Sequence, residues 1–336
     1  MIVRALGVLR VAVRPALALI PALALSAARL PDHPARLPNE AATSAPTLRV
    51  RAPGGAWRMW WRADRAPARW PDALPAVAGA VRWQRAAPGV EWGELELSGD
   101  GEAYRTRAVL VRIDPAVVRL TLHAAARPAS LGGAGPWDLD AAPAAALVAL
   151  NAGQFTDAGP WGWVVHRGRE LQPPGAGALA AALVVDSAGR AHVVDADAIG
   201  ASRATAVEAV QSYPAVLAGD GAVPAALVTG DGIDLEHRDG RLAIGELRDG
   251  RLLVALTRFD GLGGALASLP FGLTVPESAA LMGALGCRSA VLLDGGLSAQ
   301  LLVREAGGAA HRWTGTRRVP LGLVALPGSP EPAPSR

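Results

Sequence analysis

Lysine is absent from this chain of 336 residues, and all 33 basic side chains are arginine. With alanine, glycine and proline so abundant, that bias reads as a property of the coding sequence, not an adaptation of the protein. The arginines are interleaved with 30 acidic residues, leaving a net charge of +3 that is too small and too scattered for a nucleic-acid surface. Cysteine is nearly absent. Cys287 stands alone, which excludes an internal disulfide and a lipobox, and its position after Gly286 just before an apolar run assigns it to packing. The six histidines show no paired spacing, which argues against zinc. The stretches Gly219-Asp220-Gly221 and Gly230-Asp231-Gly232-Ile233-Asp234 lack the ligand spacing of a calcium loop and read as turns. No cofactor is implied, and dependence on a divalent cation stays open.

The first 28 residues place Arg4, Arg10 and Arg14 before an apolar stretch, Ala16 to Leu25, that ends in Ser26-Ala27-Ala28. A charged start, a short greasy segment and small residues at a cleavage point describe a signal peptide, with an uncleaved anchor as the alternative. Export to the periplasm, envelope or medium is expected, and any membrane association would run through this segment alone. Residues 29–88 are rich in Pro, Arg and Ala and carry Trp57, Trp60, Trp61, Trp70 and Trp83; they are expected to form a linker and N-terminal extension. Those tryptophans fit either a platform for stacking on sugars or plain packing bulk. The tail 327–336 is expected to be disordered.

Ordered structure is expected from Gly89 to Leu326. Val90 to Leu97, Arg107 to Asp114 and Val117 to His123 read as antiparallel strands. Pro143 to Leu150 is an apolar run that delivers Asn151-Ala152-Gly153-Gln154-Phe155. Arg241 to Thr257 reads as two strands joined at Asp249-Gly250. Thr274 with Glu277 makes a capping box, Pro276 suits a first turn, and Leu281, Met282 and Leu285 make a buried stripe that Gly286 ends.

The most informative stretch is SAVLLDGGLSAQLL, Ser289 to Leu302. Ala290 to Leu293 has the unbroken apolar character of a strand covered on both faces. Asp294 would then be held at the lip of a rigid strand, followed by Gly295 and Gly296, which tolerate close approach of a ligand, and by Ser298. Taken alone, this Asp-Gly-Gly is better read as a simple hairpin turn; its company elsewhere in the chain shifts that reading.

In order, the motifs NAGQF (Asn151–Phe155), QSYPAVL (Gln211–Leu217), RLAIGELRDGRLLVAL (Arg241–Leu256) and LDGGLSAQL (Leu293–Leu301) resemble the phosphodiester glycosidase family. The resemblance implies an α+β fold, a strand-rich mixed sheet core with a few flanking helices. It also implies hydrolysis of a sugar-1-phosphodiester belonging to a glycan or exopolysaccharide. The usual third glycine after the aspartate is replaced by Leu297, and the usual residue of the first motif by Gln154.

Such a reaction needs an anion clamp and a carboxylate acting at the anomeric carbon or on the attacking water. Asp294 is the candidate carboxylate, Arg241 the clamp through its planar fork, and Glu91 the candidate second carboxylate. Asn151, Gly153, Gln211, Ser212 and Ser298 are candidates for contacts to substrate, with the backbone amides of Gly295 and Gly296 aimed at developing charge. Two other classes remain: a noncatalytic polysaccharide-binding or envelope protein, and a phosphodiesterase attacking phosphorus.

Overall fold

The computed structural model describes residues 45–99, 105–124, 137–260 and 272–328. They belong to one compact unit that begins at Ala45. The signal segment and residues 329–336 of the tail therefore lie outside the described residues. Apolar periodicity gives strands almost throughout, and every pairing among the named strands is antiparallel.

The largest sheet has nine strands. Across it run Ala215–Leu217, Cys287–Leu293, Leu242–Leu247, Leu252–Phe259, Arg105–Ile113, Val90–Gly99, Thr47–Arg51 and Trp57–Arg62, with Gln84–Ala87 beside Val90–Gly99. The alternation of its side chains sorts them between two cores: Leu242 and Ile244 point into one, Ala243 and Leu247 into the other. The first core is shared with two five-stranded sheets. One of these carries Val148–Asn151 between Leu301–Arg304 and Gly322–Pro327. The other centres on Ala206–Ser212, flanked by Val164–His166 and Ala181–Asp186.

The second core is closed by the helix Val275–Ala284. Its capping box forms as the sequence indicates: the Glu277 amide donates to Thr274 Oγ1 at 3.3 Å, and the Thr274 amide donates to Glu277 Oε2 at 2.9 Å. Glu277, 1% exposed, also takes a two-pronged grip from Arg238 at 2.6 and 2.8 Å. A carboxylate buried that deeply persists because both of its oxygens are paired.

Ordered structure, expected from Gly89, starts earlier: within the segment expected to be a linker and N-terminal extension, the chain is part of this sheet from Thr47 onward. Trp61 and Trp70 are buried in the second core, and the Arg112 guanidinium lies 3.7 Å from the Trp83 ring centre. Proline and arginine content masked short strands whose apolar residues face inward only at alternate positions, as Leu48 and Val50 do. Trp61 and Trp70 are packing bulk.

Candidate functional site

Leu242 pairs with Leu293 across two adjacent antiparallel strands, so the chain entering one and the chain leaving the other emerge at the same end of the large sheet. Asp239-Gly240-Arg241 arrives there as Asp294-Gly295-Gly296 departs. The Gly296 amide donates to the Gly240 carbonyl at 2.6 Å. A Cβ on Gly295 would sit 2.5 Å from that carbonyl oxygen, and one on Gly296 would sit 2.9 and 3.0 Å from the two carboxylate oxygens of Asp239. Glycine is required at 296 on a second count, because its φ is +54°.

The Asp-Gly-Gly segment is thus not a hairpin turn. It carries the chain from the large sheet, through a short turn of 3₁₀ helix at Gly296–Ser298, into Leu301–Arg304 of a different sheet. That crossing is pinned from below. Fully buried Asn151 donates from Nδ2 to the Asp294 carbonyl at 2.8 Å and accepts the Gln300 amide at 3.0 Å. The Asp294 amide donates to the Gly153 carbonyl at 2.9 Å. Ser212 donates from Oγ to the Leu292 carbonyl, tying the third sheet to the same strand end. Three sheets therefore converge on Asp294.

The electrostatics follow from the burial. Burial pushes the Asp294 carboxyl above the usual carboxylate range, and the nearby Asp239 pushes it the same way, while the Ser298 hydroxyl and the Arg317 guanidinium pull it back. Asp239 is likewise raised by burial, against Arg241, the Gly240 amide and His237. Asp239 Oδ1 and Asp294 Oδ2 are both buried without a hydrogen-bond partner among the described residues. Two carboxyl groups of unfavourable ionisation thus stand on neighbouring loops, an arrangement that can serve acid–base chemistry.

Arg241 stands beside this pair, with burial lowering its basicity. Its fork is partly committed: Nε donates to the Leu273 carbonyl at 2.9 Å and one terminal nitrogen to the His237 carbonyl at 2.7 Å. It braces the turn that presents Asp239. Arg317 is exposed, with its guanidinium 4.8 Å from the Phe155 ring centre and its amide bonded to the Leu297 carbonyl at 3.0 Å. Half-buried Trp161 and Tyr213 meet edge to face, 6.3 Å between ring centres, on the side of the site built by Gln154, whose Nε2 donates to the Tyr213 carbonyl at 3.0 Å.

The structure does not gather every candidate residue here. Glu91 pairs in register with Arg112, itself opposite Leu253, which lies opposite Gly245. Glu91 is therefore several strands away, roughly 5 Å per strand, and it faces Arg112 at 3.7 Å and Arg251 at 3.3 Å. Gln211 is fully buried with its amide spent on backbone: Oε1 accepts from Trp163 and Gly175 at 2.7 and 2.8 Å, and Nε2 donates to the Gly175 carbonyl at 2.9 Å. Asn151, Gly153 and Ser212 are likewise spent on holding the Asp294 loop. The Gly296 amide, expected to face developing charge, is taken by Gly240. Asp239 and Arg317 were not singled out from sequence. The signal for Asp239 was its symmetry with Asp294, an Asp-Gly just before one apolar strand matching an Asp-Gly just after its neighbour. Among the described residues no cluster of three or more His, Cys, Asp or Glu has a geometry that would hold a metal ion.

The comparisons agree with this architecture. No curated protein matches the chain. The catalytic domain of zebrafish N-acetylglucosamine-1-phosphodiester α-N-acetylglucosaminidase, in a form auto-inhibited by its pro-peptide, shares the fold. Its TM-score is 0.55 at 14% identity, over 74% of this chain and 88% of that one. A hypothetical protein from Synechocystis is similar with a TM-score of 0.51 and 16% identity over 80% of this chain, which spans 65% of that protein's length. Residues 144–326, which carry Asn151, Asp239 and Asp294, match the phosphodiester glycosidase family, and the chain belongs to that family.

Proposed function

We propose that the protein is an exported hydrolase that cleaves the bond between the anomeric carbon and the phosphate oxygen of a sugar-1-phosphodiester, with Asp294 as the carboxylate acting at the anomeric centre. The observation that carries this reading is Asp294 itself. Its loop is fixed by bonds from three sheets, while Asp294 Oδ2 is left buried without a partner in a chain of the phosphodiester glycosidase family. A polar group so held and so unsatisfied is preorganised to interact with something the fold does not supply.

Arg317, exposed and close enough to influence Asp294, is suited to the phosphate, with Arg241 adding positive charge behind Asp239. Phe155, Trp161 and Tyr213 offer apolar faces for a pyranose ring. The name of the zebrafish relative supports a sugar-1-phosphodiester as the substrate class. Export rests on the apolar segment from Ala16 to Leu25, preceded by Arg4, Arg10 and Arg14 and followed by small residues.

Product analysis tests the reaction. Free reducing sugar with a phosphomonoester is the expected outcome, and in ¹⁸O-labelled water the label should enter the sugar, because attack at phosphorus with the sugar leaving gives the same products with the label in the phosphate. Sugar phosphate would mean attack at phosphorus. Binding without product would favour the noncatalytic reading, for which Leu297, half exposed at the tip of the loop, is the motivating feature.

A further inference from the structure

We infer that Asp239 works with Asp294 as one acid–base unit that holds a single proton when substrate binds, and that admission of an anionic phosphodiester depends on that proton. The inference rests on the hydrolase reading and adds to it a second carboxyl group and a condition on substrate entry. The geometry comes first. Asp239 and Asp294 sit at the mouths of paired strands, joined through the bond from the Gly296 amide to the Gly240 carbonyl. The Asp239 carboxylate lies against Gly296, two residues beyond Asp294, close enough that a Cβ at 296 would touch both of its oxygens. Each carboxyl keeps one buried oxygen without a donor, Oδ1 of Asp239 and Oδ2 of Asp294.

Two ionised carboxylates in that position would repel each other, and together they would repel a substrate that already carries a phosphate charge. The groups facing them do not remove the problem. Arg317 and the Ser298 hydroxyl face Asp294; Arg241, the Gly240 amide and His237, whose Nε2 is 3.9 Å from Asp239 Oδ2, face Asp239. Arg241 is itself half spent on the carbonyls of Leu273 and His237. A single retained proton halves the charge of the pair and leaves one member able to accept another.

The chemistry then closes on itself. The water oxygen forms its bond to the anomeric carbon as the bond from that carbon to the phosphate oxygen breaks, and the electron pair departs on that oxygen. One water proton goes to the ionised member of the pair. The proton the pair already held passes to the leaving phosphomonoester, and the pair ends with one proton as it began.

The test is a carboxyl titration by NMR of protein labelled with ¹³C at the aspartate side-chain carboxyl, run on wild type, Asp239→Asn and Asp294→Asn, beside the pH dependence of kcat/KM. In wild type the pair should titrate in two separated steps, one of them well above the ordinary aspartate value of about 3.9. In Asp239→Asn the Asp294 carboxyl should titrate in one step at lower pH, kcat/KM should fall at least ~10²-fold, and the alkaline limb of the profile should vanish. An Asp294 midpoint unchanged by Asp239→Asn overturns the inference, as do two independent ordinary steps in wild type, which needs no variant to fold. Failure of the hydrolase reading looks different: wild type would give no turnover on a sugar-1-phosphodiester, whatever the carboxyls do.

Discussion

The Gly296 amide donates to the Gly240 carbonyl at 2.6 Å, and through that bond the loop carrying Asp239 is joined to the loop carrying Asp294. Neither glycine bears a functional group. Their contribution is closeness, because the backbone of one loop rests on that of the other with no room for a side chain between them.

Gly295→Ala tests this contact. The φ of Gly295 is −96°, which any residue adopts, so its cost would come from the new methyl group 2.5 Å from the Gly240 carbonyl oxygen. Overpacking against backbone of this kind should destabilise by about 1–3 kcal/mol and lower turnover by separating the two carboxyls. Gly307→Ala, where a Cβ meets nothing within 4 Å, is the control and should leave both unchanged. Urea denaturation with parallel assays reads both effects.

Stability should depend on pH through Asp294. Its folded form holds a proton more tightly than the unfolded chain because of burial, so wild type loses stability as pH rises from the unfolded value through the folded one. Asp294→Asn removes that loss. Near pH 7 it should match or exceed wild type, by about 1.4 kcal/mol for each unit by which the folded carboxyl is raised, and the difference should vanish below about pH 4. Thermal melts across that range would show it; a variant less stable at pH 7 than at pH 3, relative to wild type, would contradict it.

Gln211→Ala should act on the fold instead of the chemistry. It strands the Trp163 amide in the interior and removes the partner of the half-buried Gly175 amide and carbonyl. At about 1–3 kcal/mol for a buried group left unsatisfied, a loss of at least about 1 kcal/mol is expected, with KM little changed in whatever fraction stays folded. A large rise in KM at normal stability would instead place Gln211 against substrate.

Arg317→Gln should raise KM about tenfold if its guanidinium meets the phosphate, the scale of a charged hydrogen bond. Removing that positive charge also lifts Asp294 further, so the acid limb of kcat/KM should move to higher pH. Arg241→Lys should differ, since ammonium cannot span the Leu273 and His237 carbonyls together, and the loss should appear in kcat as the Asp239 turn loosens.

Much of this architecture was legible in the sequence. Ala290–Leu293 is an apolar run because its strand is covered on both faces, and the Thr274 capping box fixed a helix start to the residue. The strands from Thr47 to Ala87 were hidden because they are short, their exposed faces carry arginine, and proline-rich segments separate them, the same composition that marks linkers. In the site, Asp294 stood out through its own flanking pattern. Asp239 did not, because its importance comes from Asp294, far along the chain and brought close only by strand pairing. Polar residues near the motifs were the least legible: Asn151, Gln211 and Ser212 look alike as ligands or as braces, and only their partners show that they brace.

The most direct test of the account is turnover by Asp294→Asn on a sugar-1-phosphodiester that wild type cleaves, measured by release of reducing sugar. The substitution keeps the size of the side chain and the bonds that the Asp294 backbone makes to Gly153 and Asn151, so the folded protein should melt no lower than wild type at neutral pH. The account predicts a folded protein with turnover reduced at least ~10²-fold, the scale of a group acting in the transition state. A folded Asp294→Asn protein with wild-type turnover would contradict it.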